Sequence, residues 1–171
     1  MKTLPLNKKL SNTSAPFPND LRGCLPERDL LMEVYSAVEK ISAQGFPKVF
    51  NEIPVPMLRT LLIYAYATGV FGSKDIEEGI RSNATLKYIS SGHSPTWETI
   101  RQFRKLQSSS ILKGLEELLI ACSSRNAQDL ECYAFCSMGR ITSRMDAVMT
   151  RSDAAFRLQS ALQADSADMD F

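Results

Sequence analysis

Apolar residues recur every three or four positions along most of this chain, which is the period of an amphipathic helix. The first stripe predicts a helix that begins at Pro26 and ends near Gly45, with an inner face of Leu31, Val34, Val38 and Ile41. Later stripes predict a central apolar helix over 57–70, short helices beginning near Ser73, Asn83 and Thr96, helices over 111–122 and 126–137, and a last helix carrying Ile141, Met145, Val148, Met149, Phe156 and Leu162. No alternating run is long enough for a useful strand, so we expect an all-α fold, a compact bundle of short helices.

The two ends of the chain lack this periodicity. Residues 1–25 are rich in Ser, Asn, Pro and Lys, which predicts a disordered N-terminal arm. Residues 164–171 carry three aspartates and predict an acidic tail. Between the two ends we expect a helical domain over residues 26–122, followed by a helical C-terminal extension over residues 123–163.

The composition is that of an ordinary globular protein with one domain. The chain has 171 residues, of which 44% are apolar and 23% are charged, close to average usage. No apolar run reaches the about 18 residues that a membrane span needs, so we expect none. Because Ser, Asn and Pro follow Lys8 and Lys9 where a secretory signal would be apolar, we expect a cytoplasmic protein with reduced cysteines.

Positive charge is concentrated in the middle of the chain. The net charge is only +1, yet residues 54–113 carry eight Lys or Arg against four Asp or Glu, and residues 114–171 carry five against nine. In the helix after Thr96, the helical period places Trp97, Ile100 and Phe103 inside and Arg101, Arg104 and Lys105 outside. With Arg81 and Lys87 from the preceding helices, these cations are candidate contacts for DNA phosphates. The alternative is a set of solvated helix faces.

Metal binding and catalysis have little support in the sequence. Cys132 and Cys136 share a helical face that Cys122 could approach, but the lone His93 lies in a distant turn and there is no Cys-x-x-Cys knuckle, so core packing is favoured over zinc. No Cys/His pair or Ser/His/Asp set has local support. Phosphate-binding Gly-rich loops are also missing. We therefore predict no catalytic residues, no metal and no cofactor.

The middle of the chain resembles the N-terminal helical domain of bacterial insertion-sequence transposases that carry a DDE-type catalytic domain downstream. The matching features occur in order over about 50 residues: the apolar segment LLIYAY with its closing Gly69, the helix over 73–80, Asn83 followed by LKY, the Ser91-Gly92 turn, Pro95 with Thr99-Ile100, and Phe103-Arg104-Lys105. The resemblance implies a helix-turn-helix-like module that binds the double-stranded ends of a mobile element. Its candidate DNA contacts are Arg81, Lys87, Arg101, Arg104 and Lys105.

The segment after Cys122 departs from the family pattern. In the family, a strand ending in a catalytic Asp, typically in an Asp-Gly-Thr context, follows the helical domain, and its carboxylates hold two metal ions. Here Asp129 and Asp146 lie in predicted helices without that context, so neither is assigned a metal. We therefore expect a transposase-derived DNA-binding protein that is not an enzyme.

Two other interpretations stay open. In the first, the helices over 26–45 and 111–163 pair with a full-length transposase and poison or regulate it; a second copy of this chain is a further candidate partner. In the second, the chain is a decayed reading frame without a selected activity.

Overall fold

A computed structural model describes residues 19–42, 49–126 and 143–167. Its first element is a single 3-10 turn, Leu21–Gly23, capped by the Asp20 side chain, and helix α1 follows over Glu27–Ser42. Leu21 and Leu25 are buried in the core. The predicted arm over 1–25 is therefore too long, because Leu21 and Leu25 belong to the hydrophobic core. Residues 1–18 lie outside the described part of the chain.

A two-residue hairpin connects α1 to the central helix. Strand β1, Val49–Phe50, pairs antiparallel with β2, Ile53–Pro54. Asn51 and Glu52 form the turn with φ angles of 47° and 64°, which is the backbone of a type I′ hairpin. This small sheet is an addition to the all-α expectation, and every other regular element of the described residues is a helix.

Helix α2, Val55–Ala67, is the centre of the bundle, and eleven of its thirteen residues are buried. Its apolar side chains point in every direction, so it has to be surrounded by other helices. Its end is fixed by Gly69, at φ 81°. The Val70 N–H donates to the carbonyl of Ala65 at 2.8 Å, which is a Schellman closure.

Three short helices follow with tight connections: α3 over Ser73–Ser82, α4 over Ala84–Ser90 and α5 over Trp97–Leu106. Asn83 separates α3 from α4, and its side chain accepts from the backbone N–H groups of Thr85 and Leu86. The Thr96 hydroxyl caps α5 in the same manner. The predicted helix starts near Ser73, Asn83 and Thr96 are confirmed, and Gly72 is the N-cap of α3.

The last two helices, α6 over Ser108–Asn126 and α7 over Ser143–Ala167, form an antiparallel pair. Near the middle of the pair, Nε of Arg151 lies 3.4 Å from Oε1 of Glu116. At the C-terminal end of α7, Asp165 forms an ion pair with Arg104, which lies just before the start of α6. Helix α6 starts three residues before the predicted helix over 111–122 and ends four residues after it. The predicted helix over 126–137 lies almost entirely outside the described residues.

The face that α7 turns inward carries charged residues. Its buried residues are Thr150, Asp153, Ala154, Arg157, Leu158, Ala161 and Asp165. Val148, Phe156 and Leu162, three of the apolar residues that predict this helix, are exposed. Arg157 can be buried because its guanidinium group donates to Asp153 and to a buried carbonyl group.

Helix α7 belongs to the same hydrophobic core as the predicted domain over 26–122. Ala154, Leu158 and Ala161 pack in one cluster with residues of α1, α2 and α6. Asp165, assigned to the acidic tail, is helical and buried. The extension and the start of the tail are therefore integral to the bundle.

Candidate nucleic-acid interface

Arg81 lies on the exposed side of α3, close to the start of α5. Its guanidinium group donates to Glu77 at 2.8 Å, and its side chain is 73% exposed. The second carboxylate oxygen of Glu77 accepts from the Trp97 backbone N–H at 2.9 Å, the first amide of α5. Lys74, one turn before, places its ammonium group 5.6 Å from the centre of the Trp97 ring. Glu77 thereby fixes both Arg81 and the junction between α3 and α5.

Lys87 projects from α4 into solvent, beside the exposed ring of Tyr88. The helix that carries it is held by Glu27 at the start of α1. One oxygen of Glu27 accepts from the hydroxyls of Thr85 and Tyr64, both at 2.7 Å. These hydrogen bonds lower the pKa of Glu27, while burial and the bond to Glu27 raise the pKa of Tyr64. The shared carboxylate thus orients α4 against α1 and α2.

Arg101 and Lys105 lie four residues apart on α5, so they share one side of the helix. Arg101 is half-buried and Lys105 is exposed. The inner stripe of this helix is confirmed at Ile100 and Phe103, and Phe103 packs against Phe50 with ring centres 5.5 Å apart. Trp97, the third predicted member, is only half-buried.

Arg104 is not on the outer face, so its assignment as a DNA contact is wrong. Its side chain is fully buried and donates to Asp165 at 2.7 Å, to the Ala161 carbonyl at 2.6 Å and to the Phe71 carbonyl at 2.9 Å. The guanidinium group also lies over the Tyr66 ring, 5.3 Å from its centre. A cation enclosed by these internal acceptors cannot reach a phosphate outside.

Burial reduces the positive field of the middle segment. Two of the eight cations between residues 54 and 113, Arg59 and Arg104, are buried, and none of the four acids in that range is. Arg59 donates to the Gln107 side chain at 3.0 Å, and burial lowers its pKa. Without these two buried cations, the surplus of positive charge over residues 54–113 falls from four to two. The electrostatic attraction for a polyanion is correspondingly weak.

A second group of buried charges was missed by the sequence reasoning. The Arg157 side chain donates to Asp153 at 2.8 Å and to the carbonyls of Tyr66 and Asn19, at 2.7 and 2.9 Å. Burial raises the pKa of Asp153. The four-residue spacing of Asp153 and Arg157 was visible in the sequence, but it is also the spacing of an ordinary surface pair. Nothing local marked it as internal.

A groove of about 600 Å³ opens on another side, between α1, the start of α2 and the loop after α4. Tyr35, Met57 and Ile89 make it largely apolar, and Glu39 and His93 also line it. His93 occupies the predicted turn, where its Nδ1 lies 3.2 Å from the Ser90 carbonyl. The groove contains none of the candidate DNA contacts.

The predicted cysteine positions are only partly described. Cys122 is fully buried, as core packing requires, whereas Cys132, Cys136 and Asp129 lie outside the described residues. Among residues 19–42, 49–126 and 143–167, no three His, Cys, Asp or Glu side chains could hold a metal ion together. No helix in those ranges is long and apolar enough to cross a membrane.

Comparisons with known proteins identify no relative. No protein-family model, no curated protein sequence and no solved structure matches this chain.

Proposed function

We propose that this chain is a transposase-derived DNA-binding protein whose helices α3 to α5 form the helix-turn-helix-like part, and that it binds duplex DNA without cutting it. The observation that carries the proposal is the placement of Arg81, Lys87, Arg101 and Lys105. All four are at least partly exposed, and they project from three consecutive helices joined by short, capped connections. The ordered resemblance of residues 54–105 to transposase N-terminal domains supports the same function.

The proposed contact is with backbone phosphates. Each phosphate that a Lys or Arg neutralises releases counterions, so binding weakens as salt rises, with a log-log slope of about −0.9 per contact. Four contacts correspond to a slope of about −3.6. Arg81 can exchange its half-buried partner Glu77 for a phosphate at small cost, because its own side chain is 73% exposed and a helix pair of this spacing at the surface contributes only about 0.3–0.5 kcal/mol. We expect weak binding, since the exposed surplus is only two charges.

Fluorescence anisotropy with a labelled duplex, between about 50 and 200 mM salt, tests the proposal. The informative variant is Arg101→Ala with Lys105→Ala. Its matched control is Lys40→Ala with Arg151→Ala, which removes two exposed cations from α1 and α7. Both variants lose the same net charge, so only the position of that charge differs.

We expect the α5 variant to reduce the magnitude of the salt slope by up to about 1.8, and the control to leave it near that of the parent. Equal effects from both variants would mean that binding follows net charge and has no defined surface. If the parent fails to bind at about 50 mM salt, where screening is weakest, DNA binding is rejected.

The second candidate function is pairing with a full-length transposase. It is favoured by large apolar side chains exposed on the helices predicted to pair: Met32 on α1, Ile120 on α6 and Phe156 on α7. If this chain forms a stable complex with the purified transposase but does not bind DNA, the second function replaces the first.

A further inference from the structure

The groove between α1, the start of α2 and the loop after α4 has the size of a small-molecule site. Its volume of about 600 Å³ lies within the about 300–1,000 Å³ that such sites occupy. Its walls are mostly apolar, with Val38 on α1, Met57 on α2 and Ile89 near the end of α4. The few polar side chains on these walls therefore decide which chemical class of molecule the groove can hold.

Two hydroxyl groups of the lining already donate their hydrogen inside the protein. The Thr60 hydroxyl donates to the Pro56 carbonyl at 2.9 Å. The Ser91 hydroxyl donates to the carbonyl groups of Tyr88 and Ile89, both at 3.4 Å. A hydroxyl has one hydrogen and two lone pairs. Toward a ligand, both groups can therefore act only as hydrogen-bond acceptors.

The histidine of the lining also uses its proton inside the protein. Nδ1 of His93 lies 3.2 Å from the Ser90 carbonyl oxygen. A carbonyl oxygen has no hydrogen to give, so Nδ1 is the donor and carries the ring proton. In the neutral imidazole, Nε2 is then an acceptor. His93 therefore adds a third acceptor to the lining.

Glu39 adds a negative charge to the groove. It is exposed on α1, four residues after Tyr35, so the carboxylate and the Tyr35 ring share one side of the helix. Lys40, its neighbour in sequence, is engaged by Glu117 at 3.0 Å. The described residues that line the groove include no Lys or Arg, and among their side chains only the Tyr35 hydroxyl keeps a hydrogen to donate. Charge and hydrogen bonding thus favour the same kind of ligand, a cation that donates.

We propose that this groove binds a small organic cation, with a primary ammonium group on an aromatic or alkyl body. The ammonium group supplies three N–H donors, its charge pairs with Glu39, and the Tyr35 ring offers it a cation–π contact. The apolar body packs against Met57 and Ile89. An anion would be repelled by Glu39, and a neutral apolar molecule would cover the acceptors without giving them a partner.

Proton NMR of the full chain without DNA, at one fixed pH, tests the proposal. His93 is the only histidine of the chain, so its ring protons give a signal that comes from the groove alone. Three probes share one body and differ in the end group: phenethylammonium, phenethyl alcohol and phenylpropanoate. We expect phenethylammonium to shift the His93 signals with a Kd of about 0.1–1 mM. The alcohol and the carboxylate should bind at least about threefold more weakly.

Glu39→Gln removes the charge and keeps the size of the side chain. We expect it to weaken phenethylammonium binding by about threefold to fivefold, since the ion pair is exposed, and to leave the binding of the alcohol unchanged. The matched control is Glu78→Gln, which removes an exposed carboxylate from α3 outside the groove lining and should bind like the parent. Circular dichroism verifies that each variant stays helical.

A second pair of variants tests the aromatic contact. Tyr35→Leu should weaken the binding of phenethylammonium, whereas Tyr35→Phe keeps the ring and should restore it. Three results would each overturn the proposal: no shift of the His93 signals at about 10 mM phenethylammonium, equal binding of the alcohol or the carboxylate, or equal effects of Glu39→Gln and Glu78→Gln. Because DNA is absent from every sample, these results are independent of the proposed function.

Discussion

Arg104 and Asp165 form an ion pair inside the bundle, with Nη1 2.7 Å from Oδ2. The same carboxylate accepts from the backbone N–H and the hydroxyl of Ser73, both at 3.0 Å. Asp165 thus supplies the negative charge that the N-terminus of α3 favours, and Arg104 binds the Ala161 carbonyl near the C-terminus of α7. The Arg104–Asp165 pair therefore connects the N-terminus of α3 with the C-terminal part of α7.

Replacing Arg104 by Ala should destabilise the protein strongly, by about 3–5 kcal/mol, because Asp165 would remain as a buried charge without its cation. Urea denaturation followed by circular dichroism measures the change. Lys105→Ala, the exposed neighbour on the same helix, should change the free energy of unfolding by no more than about 0.5 kcal/mol. Similar stability of the two variants would contradict the burial of Arg104.

Deleting residues 143–171 should abolish cooperative unfolding. The deletion removes Ala154, Leu158 and Ala161 from the core and leaves the Tyr66 carbonyl, the Ser73 N–H and Arg104 without their α7 partners. Deleting only residues 168–171 keeps all these contacts, so that variant should melt like the parent. A cooperative transition in the longer deletion, at the melting temperature of the parent, would show that residues 26–122 fold independently.

The contrast between α5 and α7 shows what the sequence could predict. The start of α5 at Thr96 and the inner positions Ile100 and Phe103 follow from local spacing and capping, and they are confirmed. Arg104 lies beside Phe103 on the helix, yet its environment is set by Asp165, 61 residues later, and by two backbone carbonyls. Its burial therefore has no local signature.

The same reason explains why the inner face of α7 has no local signature. Val148, Phe156 and Leu162 form the more apolar stripe, and a stripe of that kind normally faces the core. The competing stripe of Asp153 and Arg157 is buried because Asn19 and Tyr66 provide acceptors for the guanidinium group. Those carbonyls are supplied by the fold, and a linear pattern does not contain them.

Stability should depend on the charge of Glu27 in acid. The hydroxyls of Tyr64 and Thr85 hold the pKa of this carboxyl below its ordinary value of 4.5. A depressed pKa contributes stability that is present above the ordinary value and is lost as pH falls through the depressed one. The difference in unfolding free energy between the parent and Glu27→Gln should therefore shrink from pH 7 to pH 3. Urea titrations across that range measure it, and a difference independent of pH would refute the role of the ionised carboxylate.

Gly114→Ala should destabilise the packing of α6 on α2, although alanine is the better helix former. A Cβ at this position would clash with Cδ1 of Ile63 and would lie 3.2 Å from Cδ1 of Ile41. We expect a loss of about 1–3 kcal/mol from overpacking. Gly23→Ala, where a Cβ meets no atom within 4 Å, is the control without a clash.

Ile63→Val removes the atom that clashes, so it supplies the second arm of a double-mutant cycle. The double variant should be more stable than the sum of the two single changes predicts. Strict additivity would mean that Gly114 and Ile63 do not share a contact.

The two members of the Arg104–Asp165 pair enter the growing chain at different times during protein synthesis. Asp165 is added to the growing chain 61 residues after Arg104, which at about 5–20 residues per second is a delay of about 3–12 s. Throughout that interval the nascent chain already contains the guanidinium group of Arg104 and the first amide of α3, but not the carboxylate that both require. The buried contacts of Asp165 with Ser73 and Arg104 can therefore form only after α7 has been synthesised.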